Sequence, residues 1–165
     1  MLKTLFLVYD ETRKHVLDMP ILTFQPLFKL IKDDNLRIFA GQNYYCAQEI
    51  LELTSTEKGK ALAINHEYAL ARAVIGLYGG VLEAMLADML PSISKKMLGS
   101  LIRAGYEQKI LVPGTKLAAL SSVMLYFRNH IHPRKTRSQY FLDLNVAKGC
   151  KVALESVILD LFSAP

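Results

Sequence analysis

The chain has 165 residues, of which 52% are hydrophobic and 21% charged. That is enough for one compact domain with a real core, or a domain plus a small appendage, and it excludes a disordered chain. The formal net charge is +5, a balance compatible with an anionic partner and silent on fold.

Residues 1–60 carry the weakest pattern. Leu2, Leu5, Val8 and Leu17 hint at an N-terminal helix, and Pro20 and Pro26 then punctuate the chain. Leu27–Lys32 fits one or two helical turns ended by Asp33-Asp34-Asn35. Leu36–Ala40 fits a short strand, Gly41-Gln42-Asn43 a turn, and Tyr44–Leu53 either a second strand or a helix. We take these as a small β-hairpin, followed by a polar connection over Thr54–Lys60. Residues 1–60 are thus expected as an N-terminal extension, and 61–165 as the main domain.

From residue 61 the pattern is helical. Asn65 is a candidate N-cap, and Ala69, Leu70, Ala73, Val74, Leu77, Val81, Leu82, Met85, Leu86 and Met89 recur at helical spacing up to Pro91. This wide apolar arc belongs at the centre of a bundle. Gly76, Gly79 and Gly80 each cost about 1 kcal/mol against Ala, which close approach of a neighbouring helix would offset. Ser92 or Ser94 would cap a shorter helix with Met97, Leu98, Leu101 and Ile102 inward and Gly105 just past its end. Thr115 caps the next helix, whose stripe is Leu117, Leu120, Val123, Met124, Phe127 and Ile131; Pro133 ends it. The last helix starts near Asp143 or Asn145, with Ala147, Cys150, Leu154, Val157, Ile158 and Leu161 inward. The expected fold is mainly α, an antiparallel bundle of four to five helices with the small hairpin at its N-terminal side.

The sequence has no P-loop, GxGxxG, HExxH or GxSxG motif, and no close carboxylate pair stands out for glycosidase chemistry. Cys46 and Cys150 show no zinc spacing, so no metal or cofactor is expected. The apolar run Met1–Tyr9 is too short for a signal-peptide core and is followed by Asp10 and Glu11. Uncharged runs such as Ala73–Leu82 and Leu117–Phe127 fall short of the roughly 18–20 residues of a membrane span. The expectation is a cytoplasmic protein with two free thiols and no membrane association.

One segment is chemically distinct. Between Glu107 and Asp143 there is no Asp or Glu, while Lys109, Lys116, Arg128, Arg134, Lys135 and Arg137 contribute +6, leaving −1 for the rest of the chain. Within it, Tyr126–Arg137 holds four basic residues together with His130 and His132. Arg128 and His132, four apart, share a helix face near Ser121 and Leu125, with Asn129 flanking and His130 roughly opposite. A guanidinium that forks onto phosphate oxygens, an amide and an imidazole at one helix end suit a phosphodiester. The plainer alternative is a His that meets the last helix carbonyls, an Arg at the surface, and a solvated loop over Arg134–Arg137. His15 and His66 are isolated and are taken as surface or cap residues.

Phe127-Arg128-Asn129-His130-Ile131-His132-Pro133 resembles the Arg-Asn…His-Pro signature late in a helix of the HEPN superfamily. Leu77–Leu86, with Gly79-Gly80 and Leu82-Glu83, and the closing helix Ala147–Leu161 are also similar to that superfamily. The resemblance covers roughly 61–165. It implies a helical bundle that pairs as a homodimer, with members acting as metal-independent RNases in toxin–antitoxin, phage-defence or stress systems. Carried over, Arg128 would stabilise the phosphate, Asn129 would orient the site, and His132 would move the proton for attack by the ribose 2′-hydroxyl. His130, Arg134, Lys135 and Arg137 would contact RNA. An antitoxin or other protein partner is also implied. Only Asn129, His130 and Ile131 separate Arg128 from His132, shorter than the family's usual spacing. That departure gives the alternative its motive: a non-catalytic helical module for dimerisation or partner binding.

Overall fold

The computed structural model describes residues 25–94, 96–131 and 142–163, so the helix expected over Leu2–Leu17 falls outside it. The described residues form six helices: α1 (Gln25–Leu30), α2 (Asp34–Leu53), α3 (Glu57–Met89), α4 (Leu98–Glu107), α5 (Lys116–Ile131) and α6 (Leu144–Phe162). A single 3₁₀ turn, Pro91–Ile93, follows α3, and no strand occurs among the described residues.

Helix α3 is the axis. Ala71, Val74, Ile75, Tyr78, Val81, Leu82, Met85 and Leu86 are buried at alternating steps of three and four. That arc is wide enough for α2, α4, α5 and α6 all to pack on α3. The segment His66–Met89 has the length and hydropathy of a membrane span, a property the charge-interrupted sequence had hidden. Its place at the centre of the bundle accounts for that hydropathy.

Residues 34–53 are one helix, not the hairpin the sequence suggested. The Asp33 carboxylate accepts from the Leu36 N–H at 2.9 Å and starts the helix. Ala40, Tyr44, Ala47 and Leu51 then recur at helical spacing and are all buried. The strand-like residues Ile38 and Phe39 lie on the outer side, about half exposed. The expected turn Gly41-Gln42-Asn43 is mid-helix, with the Asn43 amide donating to the Phe39 carbonyl one turn back. Tertiary burial of a period near 3.6 outweighed local β propensity. Leu27, Ile31, Tyr44 and Leu51 share one core cluster with residues of α3 to α6, so the hydrophobic core continues across residue 60.

Several boundaries differ from the sequence reading for identifiable reasons. Helix α3 begins at Glu57, capped by Thr56, whose hydroxyl accepts from the Gly59 N–H. The expected start at Asn65 is instead adjacent to a break: His66 has non-helical dihedrals, φ −133° and ψ 15°. Helix α4 starts after Met97 with no side-chain cap, so Ser92 and Ser94 do not perform that role. Gly105 lies within α4; Lys109 takes the left-handed conformation past its end, φ 59°. The N–H groups of Ile110 and Lys109 bond back to Gly105 and Tyr106 carbonyls at 2.8 and 3.1 Å, a Schellman closure. Gly105 serves packing, since a Cβ there would sit 2.9 Å from the Leu111 side chain. Thr115 and Asp143 cap α5 and α6 as expected, accepting from Ala118 and Val146 N–H groups. Val123 is 45% exposed rather than inward.

The bonded pairs fix the helix directions. Asp88 near the end of α3 accepts from the Lys32 and Asp33 N–H groups, so α2 begins where α3 ends. Lys116 at the start of α5 reaches Ser156 and Asp160 near the end of α6. Glu67, early in α3, accepts from the Leu144 N–H at the first residue of α6. One end of the bundle therefore gathers the close of α2, the His66 break, the close of α5 and the start of α6.

The glycines give a stability test. A Cβ at Gly76 meets nothing, whereas at Gly59 it would lie 1.7 Å from the Leu53 carbonyl oxygen. Of the three glycines expected to admit a neighbour, only Gly80 does so, against Asn43 at 3.0 Å. In urea titrations, Gly76→Ala should stabilise by about 1 kcal/mol and Gly59→Ala should destabilise by about 3 kcal/mol. Lys109→Gly should stabilise by about 1 kcal/mol by relieving the left-handed lysine.

Candidate functional site

Arg128, Asn129 and His130 lie in the last turn of α5, where the structure describes the backbone. His132, Arg134, Lys135 and Arg137 lie outside the described residues. The residues around them define the setting. Leu117, Leu120, Ser121 and Met124 form the buried side of α5, and the Arg128 position continues the register of Ser121 and Met124. The chain thus presents that position in line with the packed face, at the helix end nearest the start of α6.

Across from it, α6 is held by two carboxylates. Asp143 accepts from the Val146 N–H at 2.8 Å, and Glu67 accepts from the Leu144 N–H at 3.1 Å. Both negative groups sit at the positive end of the α6 dipole and satisfy donors the helix leaves open. Leu142, 4% exposed, packs beneath them. The basic segment is therefore strung between the end of α5 and an α6 start that is fastened to α3. His66 and Tyr68 flank the fastening residue, and both are exposed. Arg72 lies over the Tyr68 ring, 5.3 Å from its centroid. Asn145 and Lys148, also exposed, stand on the first turns of α6.

The other charges of the acid-free stretch are elsewhere. Lys116 is at the opposite end of α5, 2.8 Å from Asp160 and 3.0 Å from the Ser156 hydroxyl. Lys109 closes α4. The part of the stretch that gathers positive charge is 128–137.

Two further features are built into the bundle. Between α5 and α6 runs an apolar groove of about 380 Å³, lined by Leu120, Val123, Phe127, Val146, Ala153 and Val157, with Cys150 among its walls. Between α2 and α6, the Tyr44 hydroxyl donates to Glu155 and accepts from Gln48; the Gln48 carbonyl oxygen in turn accepts from Lys151 at 2.9 Å. Lys151 also lies 3.8 Å from Glu155. This closed ring of four side chains is satisfied within itself and ties the two helices together. Tyr78 packs beside it, ring centroids 6.1 Å from Tyr44, with a buried hydroxyl that has no partner among the described residues. Burial, together with the adjacent Glu155 carboxylate, pushes the Tyr44 and Tyr78 phenols well above the ordinary tyrosine value. Burial pushes the Cys150 thiol up to about 11, and the Cys46 thiol is raised for the same reason, with Glu49 adding to it. Both cysteines are free. These groups stay protonated near neutrality and are poor nucleophiles or bases there. No cluster of metal-ligating side chains occurs among the described residues.

Sequence reasoning singles out the end of α5 by its charge and does not reach the contacts at the rest of this bundle end. In the sequence Glu67 belongs to no motif, and His66 is isolated. The available signal was the run Asn65-His66-Glu67, a polar interruption before a long apolar arc. The contact across 77 positions to Leu144 is not legible from one chain.

No family model, curated protein or solved structure gives a significant match to this chain.

Alkaline pH tests the burial of the phenols and the thiol. Each is an acid whose folded value lies above its unfolded one, so the native state holds protons that the unfolded chain has lost. Stability is complete below about pH 9, the ordinary thiol value, and falls as pH rises past 9 and then past 10. Tyrosinate absorbance of Tyr44 and Tyr78 should appear only together with loss of helical circular dichroism. Tyr44→Phe and Tyr78→Phe should each remove part of that coupled signal.

Proposed function

We propose that this protein acts on RNA through the basic segment that leaves the end of α5. The observation that carries the reading is the concentration of charge: residues 128–137 hold Arg128, Arg134, Lys135 and Arg137 with His130 and His132 and without one acid. The bundle supports it by bringing the close of α5 and the fastened start of α6 to one end. The resemblance to HEPN proteins supplies the chemistry. Arg128 would donate two N–H groups to the non-bridging oxygens of a phosphodiester. His132 would take the proton from the 2′-hydroxyl as its oxygen attacks phosphorus, and the 5′-oxygen would depart by taking a proton from solvent water. The products are a 2′,3′-cyclic phosphate and a free 5′-hydroxyl, and DNA, lacking the 2′-hydroxyl, is spared. Asn129 would orient the substrate. On the same reading the protein pairs as a homodimer and belongs to a toxin–antitoxin, phage-defence or stress system.

A second reading has its own observation. The Arg128 position continues the buried register of Ser121 and Met124, and the Arg–His spacing is short. On that reading the segment holds a helix end or an interface, and the module is non-catalytic.

RNA incubation with EDTA separates the two. The enzyme reading expects cleavage by the wild type and a loss of about 10²-fold or more in Arg128→Ala and His132→Ala with unchanged melting temperatures. Inert RNA, with both variants melting well below wild type, establishes the structural reading instead.

A further inference from the structure

We propose that Tyr68 and Arg72, just past the break in α3, form a stacking ledge that receives an unpaired base of single-stranded RNA. The proposal rests on the RNA reading above and deepens it with a second contact outside the basic segment.

Three observations converge on this pair. Tyr68 is 43% exposed, so part of its large ring is open to solvent. Arg72 covers one face of that ring, 5.3 Å from the centroid, and brings a cation to the same spot. An aromatic ring backed by a guanidinium offers a base both a π-face and a positive field, and this stacking is tolerant of sequence. The helix is broken at His66, immediately before the pair, which sets the direction of the first turn that carries it.

Position completes the argument. Glu67, between His66 and Tyr68, is bonded to Leu144. Val146, two residues on, faces Phe127 across the groove, and Phe127 adjoins Arg128. Tyr68 is therefore at the same bundle end as the close of α5 and the start of α6. The comparable pair, Lys29 over Phe162, lies at the opposite end, where α1 meets the close of α6. A strand bound where α5 closes and α6 starts meets Tyr68 on the same end of the bundle. As an ordinary surface pair, Tyr68–Arg72 would contribute little to stability, as exposed cation–π contacts do.

The test is binding of an unstructured RNA oligonucleotide and of a blunt RNA duplex, each across a salt series. Tyr68→Ala and Tyr68→Leu should weaken the single-stranded complex about tenfold, leave its salt slope unchanged, and leave duplex binding unchanged. Tyr68→Phe should bind as wild type. The triple variant Arg134→Ala, Lys135→Ala, Arg137→Ala should reduce the salt slope by about 2, at roughly 0.7 per lost contact. If the triple variant loses binding while Tyr68→Leu binds as wild type, the ledge is overturned and the basic segment stands. If the wild type binds neither RNA, both fall. Tyr68→Leu keeps apolar bulk, so it separates loss of stacking from loss of fold should Tyr68→Ala melt early.

Discussion

The structure depends on burying the long apolar arc of α3. Tyr78, Val81, Leu82, Met85 and Leu86 leave almost no surface in contact with water. Each large side chain of this kind contributes on the order of 2 kcal/mol by leaving solvent. No single neighbour covers so wide an arc, so four helices must assemble around it, and α1 then closes over α6. The directions follow from polar contacts at the ends: Asp88 ties α2 to the close of α3, and Glu67 ties α6 to its beginning. Apolar burial sets the assembly, and a few carboxylates set its alignment.

That alignment gives the two ends of the bundle different characters. At one end Lys116 is matched by Asp160, and the Asp88 carboxylate holds backbone N–H groups. At the other, Asp143 and Glu67 are engaged with the first turn of α6. Helix α5 closes at this second end, and Lys148 and the Arg72–Tyr68 pair stand on the adjoining helices. The middle of the bundle is chemically quiet at neutral pH. The Tyr44–Gln48–Lys151–Glu155 side chains bond to one another, and the thiols and the buried phenols hold their protons.

How far the sequence disclosed this depended on the type of signal. Helices with strong apolar periodicity and a side-chain cap were legible: Thr115 and Asp143 start α5 and α6, and Pro91 follows the end of α3. Helix α2 was not, because Leu36–Ala40 and Tyr44-Tyr45 have strand-like composition, and only the packed face Ala40, Tyr44, Ala47 and Leu51 reveals the period. Lys109 in a left-handed cap could not be anticipated, since Gly105 was the better candidate by propensity and is required instead for the approach of Leu111. Of the site, the end of α5 was legible as a charge pattern. The His66 break and the Glu67–Leu144 bond were not, because they follow from how distant segments meet.

The central claim is that RNA meets the protein at one end of the bundle. Ultraviolet cross-linking to single-stranded RNA, with mapping of the linked peptides, tests it most directly. The account predicts cross-links in peptides containing Tyr68 and residues 128–148. Cross-links confined to α1 and the close of α6, or none above a bovine albumin background, would contradict it.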